Sequence, residues 1–259
     1  AQGKSMYLST IGNTPDGHVR AFFPFIYQRN QDIFTEDGLR SNLDSQAALE
    51  AFREFTSFYT EYKSPLELPE IEAFSNGDTP YMVSLNWLYS KFILGKPQLK
   101  GKWGITQAPG TVDAKGKINK NVPLSSFAFA MPVNKSQEKR QAAWEFLKWI
   151  ASDTVQKEFQ KRIYDSPEEW ILVFGTKGTA NSEVFVEKDR KVIDAALKEA
   201  IGPKAVVGGY QTYRYLSFAF SKVVMQKEDP KKALLEATKD SNIELIKKQK
   251  EFERFVKRL

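Results

Sequence analysis

Leu49, Phe52, Phe55, Tyr59 and Tyr62 recur three and four residues apart between Ser45 and the pair Ser64-Pro65. That spacing places all five on one face of an α-helix that opens at Ser45 and stops before Pro65. A face with so much aromatic surface must lie against other elements, so the chain has to build a body with a sizeable core around it. The composition supplies one: of 259 residues, 41% are apolar and 13% aromatic, 19 of them Phe. This suffices for one large or two small domains and excludes collagen-like, linker-like and disordered chains.

The flanking segments read as short strands and further helices. Met6, Tyr7, Leu8 and Ile11 form an apolar run that ends in the turn-rich stretch Gly12 to Gly17, a strand leaving into a loop. Residues 21–27 are apolar around Pro24, which suits a helix's first turn or a break and not a central strand. Phe74 to Asp78 reads as a helix end and turn before the apolar strand Tyr81 to Leu85, with Asn86-Trp87 at its exit. Trp103 to Thr106 and Val122 to Val133 are the other strand candidates, and Thr111 to Asn121 is a polar hairpin or loop between them. From Ser136 the period is helical through Ile150, and Asp153 to Gln156 matches a capping box for a helix reaching Tyr164. Helices are also predicted over 182–201, 210–225 and from Pro230 onward, the last with Asp229 as cap and proline in its first position. Strands alternate with helices in the first half and helices dominate the second, an α/β plan with a helical C-terminal part.

Several chemistries are excluded outright. The chain has no cysteine, hence no disulfide, thiolate metal site or cysteine nucleophile, and its single histidine, His18, leaves little room for a metal centre or a triad. His18 itself reads as a surface loop residue. No apolar run approaches the roughly 20 residues of a membrane span. The excess of 38 basic over 32 acidic residues, +6, permits attraction to anionic polymers without requiring it. No phosphate loop, G-x-S-x-G elbow or H-E-x-x-H is present. The basic C-terminal run from Lys247 to Arg258 alternates with Glu251, Glu253 and apolar residues, as an amphipathic helix with a wet face does, and nucleic acid is not an expected partner.

From Phe22 to Phe159 the order of segments resembles the extracellular solute-binding proteins of sugar ABC importers, the family that includes maltose-binding protein. The residues carrying the resemblance are FFPFIYQRNQDIFTEDG, SQAALEAFREFTSFY, FSNGDTPYMVSLNWL, KGKWGITQAPG and SSFAFAMPVNKSQEKRQAAWEFLKWIASDTVQKEFQ, with a weaker match from Gly208 to Asp240. Two departures stand out. The strand, helix and strand that open such chains have no counterpart, and Ala108-Pro109-Gly110 has one of the usual two prolines. The resemblance implies a periplasmic-binding-protein-like II fold, present here as a C-terminal fragment. Residues 1–133 would then form the α/β core of the second lobe, residues 134–204 a helical segment of the first lobe, and residues 205–259 the return to the second. It further implies an extracellular or periplasmic setting, a lipid anchor in the parent chain, no cofactor, and three partners: a carbohydrate ligand, the membrane permease of the importer and the absent first-lobe segment. The fragment reading predicts that the helices from Ser136 to Tyr164 carry an uncovered apolar face including Trp144 or Trp149.

Within this frame Trp87 is the leading ligand-binding candidate, since an indole beyond a strand end offers a stacking face to a sugar while Asn86 offers hydrogen bonds. A core tryptophan packing a sheet on a helix is the alternative. Tyr210, Gln211 and Tyr213 follow Gly208-Gly209, where the resemblance puts the other wall of a cleft; aromatic anchors of a helix would look the same. Ser125, Ser126 and Phe127 fall where a return strand passes the cleft. Arg20 and Phe22 sit in what reads as a loop, where a guanidinium's fixed donors suit a polyhydroxylated ligand. Two other classes stay open. A polysaccharide hydrolase would use a carboxylate pair among Glu67, Glu70, Glu72 and Asp78, and a basic adaptor would bind anionic polymers. A tyrosine-based ferric site lacks an adjacent tyrosine pair.

Overall fold

The computed structural model describes residues 6–10, 13–124, 129–133, 136–165 and 185–258. Strand β1 (Met6–Leu8) pairs in parallel with β2 (Tyr81–Val83), Met6 opposite Tyr81 and Leu8 opposite Val83. The connection carries α1 (Pro15–Tyr27), α2 (Gln46–Thr60) and α3 (Glu70–Ser75). Parallel neighbours need such a helical crossover, so this is an α/β unit. The helix α1 takes in Gly17, Arg20 and Phe22, all expected in loops. Thr14 caps it by accepting from the Gly17 amide, and Pro15 occupies the first turn. Pro24 lies inside the helix, where it has no N–H to donate.

After β2 come α4 (Trp87–Gly95), a 3-10 turn over Pro97–Leu99, and the antiparallel hairpin β3 (Thr111–Val112) with β4 (Ile118–Asn119). Strand β5 (Val122–Pro123) pairs in parallel with β6 (Ala200–Ile201). Between them lie α5 (Gln137–Ile150), α6 (Asp153–Tyr164) and α7 (Glu187–Lys198). Ser152 caps α6, one residue ahead of the predicted box. The chain closes with α8 (Gly209–Gln226) and α9 (Pro230–Val256), the latter capped by Asp229 as its sequence predicts.

Two compact units result. The first comprises Ala1–Ser84, Ala108–Leu124 and Glu199–Leu259; the second comprises Leu85–Gln107 and Ser125–Lys198. In the second unit residues 85–107 carry side chains that pack with later segments: Tyr89 and Phe185 are buried together, with Trp103, Ile105 and Ile193 against them. Trp103 to Thr106, expected as a strand, is irregular backbone held by its side chains, the Trp103 indole lying 5.8 Å from Tyr89 and 5.4 Å from Phe92. The longer strand expected over residues 122–133 is reduced to Val122–Pro123 in the described residues.

The core of the first unit is aromatic. Phe22, Phe52 and Phe220 are fully buried, with Phe22 edge-on to Phe52 at 5.9 Å and Phe55 stacked on Phe220 at 5.0 Å. Each buried ring contributes roughly 1.5–3 kcal/mol. Helices α8 and α9 pack against each other, and their small residues Ala219, Ala233, Ala237 and Ser241 are buried. In the second unit α5 has no buried residue, and Trp144, Phe146 and Trp149 remain 51, 52 and 56% exposed. This is the open apolar face that the sequence predicts for these helices.

Candidate functional site

In the first unit Arg20 on α1 and Tyr210, Gln211 and Tyr213 on α8 are four of the ten sequence candidates. Gly208 precedes α8 at φ 82°, a left-handed conformation that suits glycine, and so sets where the first turn begins. Tyr210 and Tyr213 follow on one face with ring centroids 6.5 Å apart. Tyr210 is 63% exposed. Tyr213 is half-buried, edge-on to Phe23 at 6.0 Å and 6.3 Å from Phe34. Burial first, and then the negative charges of Asp32 and Asp16, hold the Tyr213 phenol above its ordinary value, while Arg20 acts in the opposite sense. The Arg20 guanidinium pairs with Asp16 at 2.6 Å, one helical turn earlier. Gln211 is half-buried, and its carbonyl oxygen accepts from Arg214 at 3.4 Å.

Phe22 is not part of this surface. Its ring is fully buried between Phe52 and Phe55, because α1 turns residue 22 inward while Arg20 stays at the rim. It is a core residue and leaves the candidate set. His18 is also a correction: it is 3% exposed, not a loop residue, and its ring lies tilted against Phe220 at 4.3 Å. Ser125, Ser126 and Phe127 lie outside the described residues.

Trp87 and Asn86 belong to the second unit. Trp87 opens α4 and does not terminate a strand, since β2 ends at Val83. It is half-buried, while the α4 residues Leu88, Tyr89 and Phe92 fill the local core. Asn86 occupies the cap position, is exposed, and makes no side-chain capping bond, so its amide faces solvent.

One feature of the first unit escaped the sequence reading. A concavity of about 600 Å³ lies at the C-terminal end of α1, lined among others by Tyr27, Asp32, Phe34, Asn42, Asn121 and Lys204. The hairpin β3–β4 abuts it through bonds from Gln28 Nε2 to the Pro109 carbonyl, and from Asn119 Nδ2 to Asn30 and to the Tyr27 carbonyl. Polar residues scattered over residues 27–42, 121 and 204 give no local signal in a sequence. Among the described residues no group of three or more His, Cys, Asp or Glu is arranged to hold a metal ion. Of the acids considered for hydrolysis, Glu70 accepts the Ser9 hydroxyl, and burial lifts its carboxyl above the ordinary range.

The fold is shared with solved sugar-binding proteins. An ABC transporter solute-binding protein from Thermotoga lettingae bound with α-D-tagatose superposes with a TM-score of 0.69 at 14% identity over 94% of this chain. The sugar-binding protein MalE of Xanthomonas citri matches with a TM-score of 0.69 at 16% identity over 96% of it. The maltose/maltodextrin-binding domain of Bdellovibrio bacteriovorus MalE, bound to maltotriose, gives 0.66 at 17% over 94%. In each case the match covers 60% of the other protein's length. No curated protein sequence matches the chain. These likenesses establish a periplasmic-binding-protein-like α/β fold, represented in part. Among the described residues no helix is long and apolar enough to cross a membrane. A family model for bacterial extracellular solute-binding proteins matches residues 7–165, more than half of the sequence, and the chain belongs to that family.

Proposed function

We propose that this chain captures a carbohydrate, an oligosaccharide in preference to a single sugar, for uptake by an ABC importer, and that it does so without covalent chemistry. The observation carrying this reading is the paired Tyr210 and Tyr213 rings at the head of α8, with Arg20 on the helix α1 that packs against it. Flat aromatic faces take the C–H faces of sugar rings, and a planar donor takes their hydroxyls. The sugars bound by the neighbouring structures support it. Within the second unit, Trp87 and Asn86 are proposed separately as an aromatic and amide pair able to contact a sugar. The remaining partners follow from the same reading: an importer permease, and a further segment of the solute-binding fold that covers α5. The setting is proposed as extracellular or periplasmic, and attachment through a lipid anchor in a longer parent chain is part of the proposal.

Calorimetric titration with maltose and maltotriose, alongside an oligosaccharide hydrolysis assay, tests it. Stoichiometric binding with no release of shorter sugars is expected. Turnover without saturable binding would replace the receptor with the hydrolase reading, and binding that vanishes with salt and ignores sugar identity would favour an anionic-polymer adaptor.

A further inference from the structure

Beyond Gln249 the helix α9 runs off the packed body of the first unit. Leu245 is fully buried, the Lys248 stem lies over Gly208, where an added Cβ would stand 2.8 Å from it, and Gln249 Nε2 donates to the Leu39 carbonyl at 3.0 Å. Every residue from Lys250 to Arg258 is exposed. At about 1.5 Å per residue the helical part of this overhang, Lys250 to Val256, is about 10 Å long. Helices in water are held mostly by burying an apolar face, and this segment has the face without the cover. Phe252, Phe255 and Val256 stand three and four residues apart, 50, 57 and 49% exposed, on the side that continues from Leu245. Lys250, Arg254 and Lys257 share the opposite side by the same spacing. Over residues 247–258, six basic residues outweigh Glu251 and Glu253 by +4. Lys248 pairs with Glu251 at 2.7 Å and Lys247 with Glu244 at 3.7 Å, whereas Lys250, Arg254, Lys257 and Arg258 have no ion-pair partner among the described residues.

We propose that this overhang docks on an anionic bilayer surface, with Phe252, Phe255 and Val256 entering the boundary between headgroups and acyl chains and the cations held at the headgroups. The choice of occupant follows from two demands that the segment makes together: its rings need an apolar layer, and its open cations need negative charge at the same place. A second copy of the chain brings another +4 to the contact and is repelled. A soluble polyanion neutralises the cations and leaves the rings in water. An anionic bilayer meets both demands. Amphipathic helices with aromatic residues on one face and Lys or Arg on the other lie in the interface with the apolar face about 5–10 Å deep, and long basic stems bend back to the headgroups. The inference rests on α9 alone and not on the sugar-binding reading of Tyr210, Tyr213 or Trp87.

The test is co-flotation of the full chain with vesicles of equal parts phosphatidylglycerol and phosphatidylcholine, against vesicles of phosphatidylcholine alone. The anionic vesicles should bind at least about tenfold more tightly than the neutral ones, and raising salt from about 0.05 to about 0.5 M should weaken that binding at least about tenfold. Phe252→Ser with Phe255→Ser, and separately Arg254→Gln with Lys257→Gln, should each weaken it at least about fivefold. All four side chains are exposed, so both double variants should melt within about two degrees of the parent, which verifies their fold. Because the chain has no cysteine, insertion can be read from a single label. Val256→Cys carrying an environment-sensitive fluorophore should shift to the blue on anionic vesicles, and Lys250→Cys with the same label should stay near its value in water. The proposal fails if these protein-free vesicles leave the chain behind, in which case a protein covers the face, or if neutral vesicles bind it as well. It fails equally if the serine pair binds as the parent does, which would mean charge attraction alone, or if the two labels shift alike. A parent dimer in sedimentation velocity that the serine pair abolishes would give the face to a second copy and overturn it too.

Discussion

The imidazole Nδ1 of His18 on α1 lies 2.7 Å from the hydroxyl oxygen of Ser217 on α8, and its Nε2 lies 2.7 Å from the side-chain carbonyl of Asn13. A carbonyl oxygen only accepts, so Nε2 donates to Asn13; burial disfavours the charged ring, which leaves Nδ1 bare to accept from the Ser217 hydroxyl. The ring is therefore neutral, tied at both nitrogens and sealed against Phe220. The single histidine of the chain is a rivet between the two helices that bear Arg20 and Tyr213.

This rivet makes stability depend on pH. Burial pushes His18 down to about 4. In the unfolded chain it takes up a proton near its ordinary value of about 6.5, so as pH falls the unfolded state gains protons first. Its contribution is complete above about pH 6.5, declines through the window down to about pH 4, and totals about 3 kcal/mol. Urea unfolding of the parent and of His18→Gln from pH 4 to 8 measures it. The difference between the two curves should shrink as pH falls through that window, and parallel curves would sink the idea.

Gly17 gives a steric prediction. A Cβ at that position would stand 1.7 Å from the Thr10 carbonyl oxygen and 2.7 Å from its carbon, both backbone atoms that have no rotamer to yield. Gly17→Ala should therefore destabilise the first unit by at least about 2 kcal/mol, even though alanine is the better helix former. Denaturant midpoints decide it, and an alanine variant as stable as the parent would mean that Thr10 does not sit where it is described.

Local rules carried much of the fold and stopped at particular residues. Ser45, the stripe from Leu49 to Tyr59 and the Asp229-Pro230 start each follow from nearest-neighbour chemistry, and α2 and α9 appear where those residues put them, although Tyr62, expected on the same stripe, lies beyond the end of α2 and is 71% exposed. Pro24 misled, because a proline inside a buried helix costs roughly 3 kcal/mol that only the surrounding aromatic core offsets. His18 misled for the same reason: its partner Ser217 is 199 positions away in sequence. Tyr213 and Arg20 were legible as candidates through resemblance to a family. Tyr27 and Asp32 were not, because the concavity they share also needs Asn121 and Lys204 from distant segments.

The α8 surface makes a prediction about affinity. Tyr210 is largely exposed, so Tyr210→Ala should leave the melting temperature within about a degree or two of the parent. If the tyrosine pair is the sugar platform, the same variant weakens maltose binding by about tenfold, equivalent to about 1.4 kcal/mol. Tyr213→Phe keeps the packing against Phe23 and Phe34 and should cost less than Tyr210→Ala. Unchanged maltose affinity in Tyr210→Ala would remove the pair from the site.

The last prediction concerns the open face of α5. Trp144, Phe146 and Trp149 are about half exposed and α5 buries no residue, so these rings contribute little to the stability of the chain itself. Trp103 is different, packed within 6 Å of both Tyr89 and Phe92. Replacing Trp144 and Trp149 together by Gln should change unfolding free energy by less than about 0.5 kcal/mol, whereas Trp103→Ala should cost about 2 kcal/mol or more. The double variant should also lose most of the tryptophan fluorescence that iodide quenches in the parent, since an ion reaches only open rings. A fragment covering α5, added in trans, should protect the parent from iodide and leave the Gln variant unaffected. Equal destabilisation by the double Gln variant and by Trp103→Ala would show that the face is already packed within the chain, and the proposed covering segment would then have nothing to cover.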